Sequence, residues 1–251
     1  MSKICLQTLL AQNGEPDILI VDNASTDGTA TWAKSMAHKH QRISRITFEI
    51  TQSVSTLWNN SLRLAWTHGY EDALVVNNDT ELLPETYETL HGWAMPIWDK
   101  EDGSESGMVT CVSRRSRSEL VYEGLTSRNN PDFSCFLIRR WAFEAVNGFD
   151  EGYEGAYGED CDFHVRLHDA GIRAVCISLP FLHHGSGTLK HADIYERKRI
   201  TLNAEANRKR FFQSYGRHVG TNSYDDLFTE ATFGVKRFVR SNVGLVATRA
   251  E

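Results

Sequence analysis

No run of apolar residues in this 251-residue chain approaches the roughly 18 to 20 needed to cross a bilayer. The opening stretch, MSKICLQTLLAQNGEPD, has no basic start, no long apolar core and no small-residue cleavage site. It therefore does not read as a secretory leader, and a cytoplasmic protein is expected. Cysteine is sparse and lacks pattern: Cys5, Cys111, Cys135, Cys161 and Cys176 are an odd number with no C-x-x-C pair. That favours reduced thiols over a disulfide frame or a zinc knuckle. The chain has no internal repeat and no low-complexity tract. Near the N-terminus it also lacks the Gly-rich phosphate loop that a nucleotidyltransferase would want. Positive charge is scarce over most of the length, with 15 Lys/Arg against 26 Asp/Glu in residues 1–189. This argues against a general nucleic-acid binder, which needs a basic face for phosphates. Residues 190–251 reverse the balance, with 12 against 7, and the default reading is a tail packed on the acidic body.

What is present is ordinary for a globular protein, 41% hydrophobic and 24% charged residues. The length suits one large domain with a small appendage. Residues 17–22 are a short apolar run closed by an acid, which predicts a strand buried on both faces. Residues 29–40 read as a helix, 46–51 as a strand, 56–68 as a helix and 73–78 as a second buried strand. Pro84 opens a further helix, because a proline at the first turn forfeits no intrahelical bond. Residues 99–107 are polar and predict a surface loop. Short strands are expected at 107–112, 120–122, 133–138 and 172–177, a helix at 158–170 and a basic helix at 190–215. Beyond Gly216 no element is predicted. Alternating β and α elements imply a mostly parallel sheet covered on both faces. We expect a domain at 1–189, with halves of about 1–98 and 107–189, and a helical extension at 190–251.

In open parallel sheets ligands bind beyond the carboxyl ends of the strands. Two predicted strands end in polar clusters, Val21-Asp22-Asn23 and Val76-Asn77-Asn78-Asp79. One such cluster alone reads best as a turn; two predict a shared crevice, whose carboxylates could bind a base, a ribose or a hard cation. Gly158-Glu159-Asp160-Cys161-Asp162 crowds three carboxylates into a helix start. They could cap the helix and complement its dipole, or mark a proton-transfer or metal site. His183-His184 in a Gly-rich stretch could supply one metal ligand or simply be exposed. Asp160, His164 and His168 share one helical face, yet core or surface histidines are the better reading there. All six tryptophans fall in helix candidates and are expected in the core rather than stacked on sugar.

Together these residues carry a resemblance. Val21-Asp-Asn-Ala-Ser-Thr-Asp-Gly-Thr29 resembles the nucleotide-binding segment of family 2 glycosyltransferases, which have the GT-A fold. Val75-Val-Asn-Asn-Asp79 is similar to their DxD-type metal motif, Asn147-Gly-Phe-Asp-Glu151 with Tyr157–Phe163 to their GFDE…ED-x-D acceptor region, and His183–Thr188 to their H-x-G-S-x-T loop. The similarity is nearest to rhamnosyl- and galactofuranosyltransferase-like members. It implies an α/β, Rossmann-like mixed sheet, mostly parallel and flanked by helices. It further implies an enzyme that moves a sugar from a UDP, dTDP or GDP-type donor to a glycan, lipid-linked or protein acceptor, with inversion by direct displacement. On this resemblance Asp22, Asn23 and Asp27 would hold the nucleoside, and Asn77 and Asn78 would line the diphosphate site. Asp79 with His183 (or His184, if the loop is shifted) would bind Mn²⁺ or Mg²⁺. Asp160 would be the general base and Glu159 would position the acceptor.

The chain departs from the family pattern in two ways. Members usually begin with a strand like V-S-V-V-I-P-T-Y-N, whereas residues 2–12 resemble the helix that follows it. A sheet without that strand would expose an edge, weaken donor binding and offer a second copy a place to pair. The alternative expectation is therefore a degenerate, non-catalytic relative that binds a nucleotide or a partner. The metal motif also has a single carboxylate, which implies weaker metal binding.

Overall fold

The computed structural model describes residues 2–95, 105–125, 127–128, 132–185, 193–218, 236–241 and 244–249. The chain runs through α1 (Ser2–Leu10), β1 (Ile18–Asn23), α2 (Thr29–Lys39), β2 (Ile43–Phe48), α3 (Val54–Thr67), β3 (Asp72–Val76), β4 (Thr80–Glu81) and α4 (Thr86–Ala94). It continues with β5 (Met108–Arg114), β6 (Ser127–Arg128), β7 (Asp132–Arg139), α5 (Arg140–Ala145), α6 (Glu159–Asp169), β8 (Ala174–His183) and α7 (Ile194–Tyr215). Last come β9 (Lys236–Ser241) and β10 (Gly244–Arg249), which pair antiparallel with each other. The extension is thus not helical throughout. The tip of the predicted surface loop, 99–104, Trp98 and the Ser186–Thr188 part of the histidine loop lie outside the described residues.

The larger sheet has the order β3-β7-β5-β8-β4, with β6 on β8. β7 runs against both β3 and β5, and β5 is parallel to β8. So β3, β5 and β8 share one direction, while β7, β4 and β6 oppose it. β1 and β2 form a separate parallel pair, and among the described residues β3 is bonded only to β7. The sheet is therefore split between β1 and β3. All five residues of β3 are only half-buried, although Asp72-Ala-Leu-Val-Val76 is apolar after its first residue. The edge expected from the departing N-terminal pattern is present.

Two cores cover the two faces of the large sheet. On one, Trp58, Trp66, Phe136, Phe143, Phe149 and Phe163 pack together, with Phe149 and Phe163 stacked at 4.0 Å. On the other, Trp93, Leu90, Val109, Leu137 and Phe181 pack with α4. Four of the tryptophans are thus core or core-facing residues, as expected, and Trp32 joins a small cluster over β1 and β2. All five cysteines are buried, and none is joined in a disulfide. No helix among the described residues is long and apolar enough to cross a membrane.

Three further sequence expectations need correction. The large sheet is mixed but not mostly parallel: among the described residues only β5–β8 pair in parallel, because β7 returns between β3 and β5, and β4 and β6 run against β8. Residues 120–122 form no strand; a short 3₁₀ turn at Arg117–Glu119 precedes them. The strand expected at 172–177 runs from Ala174 to His183, through Pro180. Pro180 opposes Val112 where the β5–β8 register shifts, an irregularity that tolerates a residue without an N–H. His183 is therefore the last residue of a strand rather than part of a loop.

The Asn147–Glu151 turn is fixed by α3. Asn59, 1% exposed, donates from Nδ2 to the Phe149 carbonyl (2.9 Å) and to Glu151 (2.8 Å), and its Oδ1 accepts from Phe149 N (2.8 Å). Gly148 sits at φ +72°, and a Cβ there would lie 2.6 Å from Asn59 Oδ1 and 2.7 Å from the Phe143 ring. Gly148→Ala combines a left-handed penalty with overpacking and is expected to cost about 2–4 kcal/mol of stability, read by chemical denaturation. A loss below about 0.5 kcal/mol, the range of a neutral surface change, would contradict this packing.

Candidate functional site

The site is built from the ends of β1, β3 and β8 and the start of α6. β1 delivers Asp22, a carboxylate that is 1% exposed. Among the described residues neither of its oxygens accepts a hydrogen bond. A buried charge without partners is costly, so this carboxylate fits a site completed by an external donor group. Asn23 beside it is engaged: its Nδ2 donates to the Gln52 carbonyl (3.1 Å) and its Oδ1 accepts from Gln52 N (2.8 Å). This pins the β1 end to the approach of α3. Asp27 faces solvent, and its Oδ1 accepts from Thr29 N (3.1 Å) and Thr29 Oγ1 (2.6 Å), which hold its carboxyl below the usual range. Asp27 therefore closes the start of α2, while the Asp22 oxygens have no hydrogen-bond partner among the described residues.

The end of β3 turns through Asn77-Asn78-Asp79 into β4. Asn77 N donates to the Ser134 carbonyl (2.9 Å), and its carbonyl accepts from Thr80 Oγ1 (2.8 Å). Exposed Asn78 donates to Ser2 Oγ (3.2 Å), tying the turn to the start of α1. Asp79 is 7% exposed. Because β4 pairs with the end of β8, the His183 ring comes to 3.3 Å from the Asp79 carboxylate. His184 turns elsewhere: its Nε2 lies 2.8 Å from Glu81, which also accepts from Arg117 at 2.7 Å. The two histidines left as alternatives by the sequence are thus separated, with His183 on Asp79 and His184 on Glu81. Neither the Glu81–Arg117 pair nor its hold on His184 was anticipated, since both depend on the strand pairing.

The fit to a divalent cation is partial but chemically consistent. Asp79 and His183 offer one hard oxygen and one borderline nitrogen, a set that suits Mn²⁺ or Mg²⁺ when phosphate oxygens and water complete the shell. Among the described residues no group of three His, Cys, Asp or Glu converges on one point. A cation here would need the oxygens of a bound diphosphate.

α6 opens with the acid pair. Gly158 at φ +103° precedes it, a left-handed conformation that glycine adopts without strain. Asp160 Oδ1 accepts from Cys161 N (2.8 Å) and Gly158 N (3.3 Å). Burial pushes Asp160 above the usual carboxylate range despite those bonds. Glu159, 5% exposed, is pushed up to about 8 by burial and then by the charge of Asp160. Two adjacent carboxyls raised this way titrate as a unit, so near neutral pH the pair retains a proton. Asp162 belongs to a different network, accepting from Arg166 Nε (2.8 Å) and from the Tyr215 hydroxyl (2.6 Å), with Arg166 Nη2 paired to it at 2.7 Å. The third acid of the cluster is therefore structural. His164 is buried, with its pKa pushed down by burial, while His168 is exposed beside Asp169. Among the described residues Asp160, His164 and His168 do not gather as a group that could hold a metal ion.

The comparisons agree with the motifs. Residues 3–94 match the model of glycosyl transferase family 2, and residues 133–191 match a model described as the N-terminal domain of galactosyltransferase. An O-antigen biosynthesis protein, RfbC of Myxococcus xanthus, is 35% identical over 60 residues, which are 24% of this chain and 5% of that protein. Among solved structures, the mannosyltransferase PcManGT of Pyrobaculum calidifontis, in complex with GDP-Man and Mn²⁺, superposes with a TM-score of 0.58 at 17% identity. That match covers 90% of this chain and 63% of the other. GalNAc-T7 with UDP, GalNAc and Mn²⁺ gives 0.53 at 9% identity, covering 87% and 49%. The chain thus resembles family 2 glycosyltransferases in the sequence of its first 94 residues, and its fold is that of GT-A glycosyltransferases.

Proposed function

We propose that the chain transfers a sugar from a nucleoside diphosphate donor to an acceptor hydroxyl, with inversion at the anomeric carbon. The observation that carries this reading is Asp22, a buried carboxylate with no hydrogen-bond partner among the described residues at a strand end. A nucleoside base or ribose supplies the donors it lacks. Asn23 holds the neighbouring backbone in place through Gln52, and Asp27 shapes the turn that follows. Asn77 and Asn78 line the diphosphate side.

Asp79 and His183 would hold Mn²⁺ or Mg²⁺, which when bound neutralises the charge developing on the leaving diphosphate. Asp160 takes the proton of the attacking hydroxyl, and Glu159 orients that acceptor. A carboxylate whose pKa lies above its usual range is a stronger base than a free one, provided it is ionised. The displacement is direct, so no sugar–enzyme bond forms. Residues 1–189 are read as the catalytic unit and 190–251 as its extension. The split between β1 and β3 favours a second reading, a relative that binds nucleotide without transferring sugar.

The test is an assay with UDP-, dTDP- and GDP-sugars, Mn²⁺ and simple glycoside acceptors, with the product anomer read by NMR. An inverted product is expected. A retained anomer contradicts direct displacement by the acceptor hydroxyl. Nucleotide binding without turnover of any donor supports the second reading.

A further inference from the structure

We propose that Asn207 on α7 is a positioning residue for the Glu159–Asp160 pair, acting through the backbone of the loop that precedes it. The proposal rests on the glycosyl-transfer reading for what that pair does.

The loop at 150–158 is an unusual support for a proton-transfer pair. Gly155, Tyr157 and Gly158 all take positive φ, +69°, +78° and +103°. A tyrosine in the left-handed region persists only where its surroundings over-determine it. No strand or helix runs through this segment, so the restraint must come from outside.

Around Gly155 and Tyr157 much of it comes from α7. Asn207 Nδ2 donates to the carbonyls of Glu154 (2.9 Å) and Ala156 (3.2 Å), on either side of Gly155. Arg210 donates to Asp150 (2.7 Å) and lies over the Tyr153 ring at 5.3 Å. Beyond the acid pair, the Tyr215 hydroxyl donates to Asp162 (2.6 Å). α7 therefore grips the chain before and after residues 159–160. From the other side α3 holds the same loop: Val54 N donates to the Gly155 carbonyl (2.9 Å), and Thr56 Oγ1 (3.2 Å) and Asn59 Nδ2 (2.8 Å) donate to Glu151.

Asn207 is the buried member of this set, 3% exposed, in line with Ala204 and Phe211 on the docked face of an otherwise basic helix. An apolar residue would fill that place in a helix that merely packed. The amide instead meets two carbonyls that no helix or sheet satisfies. The path to the site is short. The Glu154 and Ala156 carbonyls set the turn at Tyr157-Gly158, and Gly158 N–H is one of the two donors to Asp160 Oδ1. Loosening the turn moves that donor and admits water to two carboxyls that burial keeps protonatable.

The experiment compares the wild-type chain with Asn207→Ala and Tyr215→Phe by steady-state kinetics over pH and by backbone hydrogen exchange. For Asn207→Ala, kcat is expected to fall about tenfold to a hundredfold, the scale of a small misplacement of a reacting group, with the donor KM within about twofold. The acidic limb of kcat should move to lower pH, because hydration returns the pair toward ordinary carboxylate values. Tyr215→Phe should shift the limb the same way and less. Exchange at 154–162 should accelerate at least tenfold while β5 and β7 stay protected. Unchanged exchange at 154–162 overturns the proposal, as does a loss of kcat with the pH limb unmoved. If the wild-type chain transfers no sugar, the functional reading fails, while exchange still decides whether Asn207 braces the loop.

Discussion

Replacing Asp160 by Asn is expected to lower kcat about 10²- to 10⁴-fold while leaving nucleoside diphosphate affinity within about twofold. The substitution keeps the shape and one acceptor oxygen for the Cys161 and Gly158 amides, so the start of α6 survives. It removes the group that accepts the acceptor's proton. The pH profile gives an independent check. The base works when ionised, so activity rises with pH through the titration of the pair. Burial raises both carboxyls, and Glu159 to about 8, so the acidic limb should lie well above the usual carboxylate range. Loss of donor binding together with turnover would show that Asp160 is structural. A limb near pH 4 would show that neither carboxyl of the buried pair is the working base.

Asp79→Ala should abolish the Mn²⁺-dependent part of donor binding. Asp79 and His183 are 3.3 Å apart, and no other His, Cys, Asp or Glu joins them among the described residues. With so few protein donors, removing the one carboxylate leaves too little charge to hold a dication. Ligand at about 100 times its dissociation constant stabilises by roughly 2.7 kcal/mol, and loss of metal-linked binding removes that increment. His184→Ala is the matched control, because its ring is committed to Glu81, a carboxylate that Arg117 also holds. A Mn²⁺-dependent shift that survives Asp79→Ala but disappears in His184→Ala would place the cation on the Glu81 side instead.

Local pattern carried the elements further than it carried their assembly. The apolar run closed by Asp22 and the amphipathic 56–68 segment announced β1 and α3 almost at their observed bounds, because burial on both faces or on one stripe leaves a periodic trace. Strand direction leaves no such trace. Nothing within Asp132–Arg139 encodes that β7 runs against both neighbours, since direction depends on where the chain returns. Pro180 hid the second half of β8, and with it the placement of His183 at a strand end facing β4. The acid pair was visible as crowded charge. That Asp162 serves Arg166 and Tyr215 was not, because Tyr215 lies 53 residues away. Asn59 and Asn207 did leave a signal, a polar residue on the apolar face of a helix. Such residues mark a backbone segment that needs donors from elsewhere.

Sugar transfer requires β1, β3 and β8 to form a working donor site despite the split between β1 and β3. The most direct measurement is the thermal stability of the wild-type chain with UDP, dTDP and GDP, each with and without Mn²⁺. If that site works, one of these nucleotides gives a shift that requires Mn²⁺ and is lost in Asp22→Ala. No shift with any of them, or one that is indifferent to both Mn²⁺ and Asp22, would contradict it.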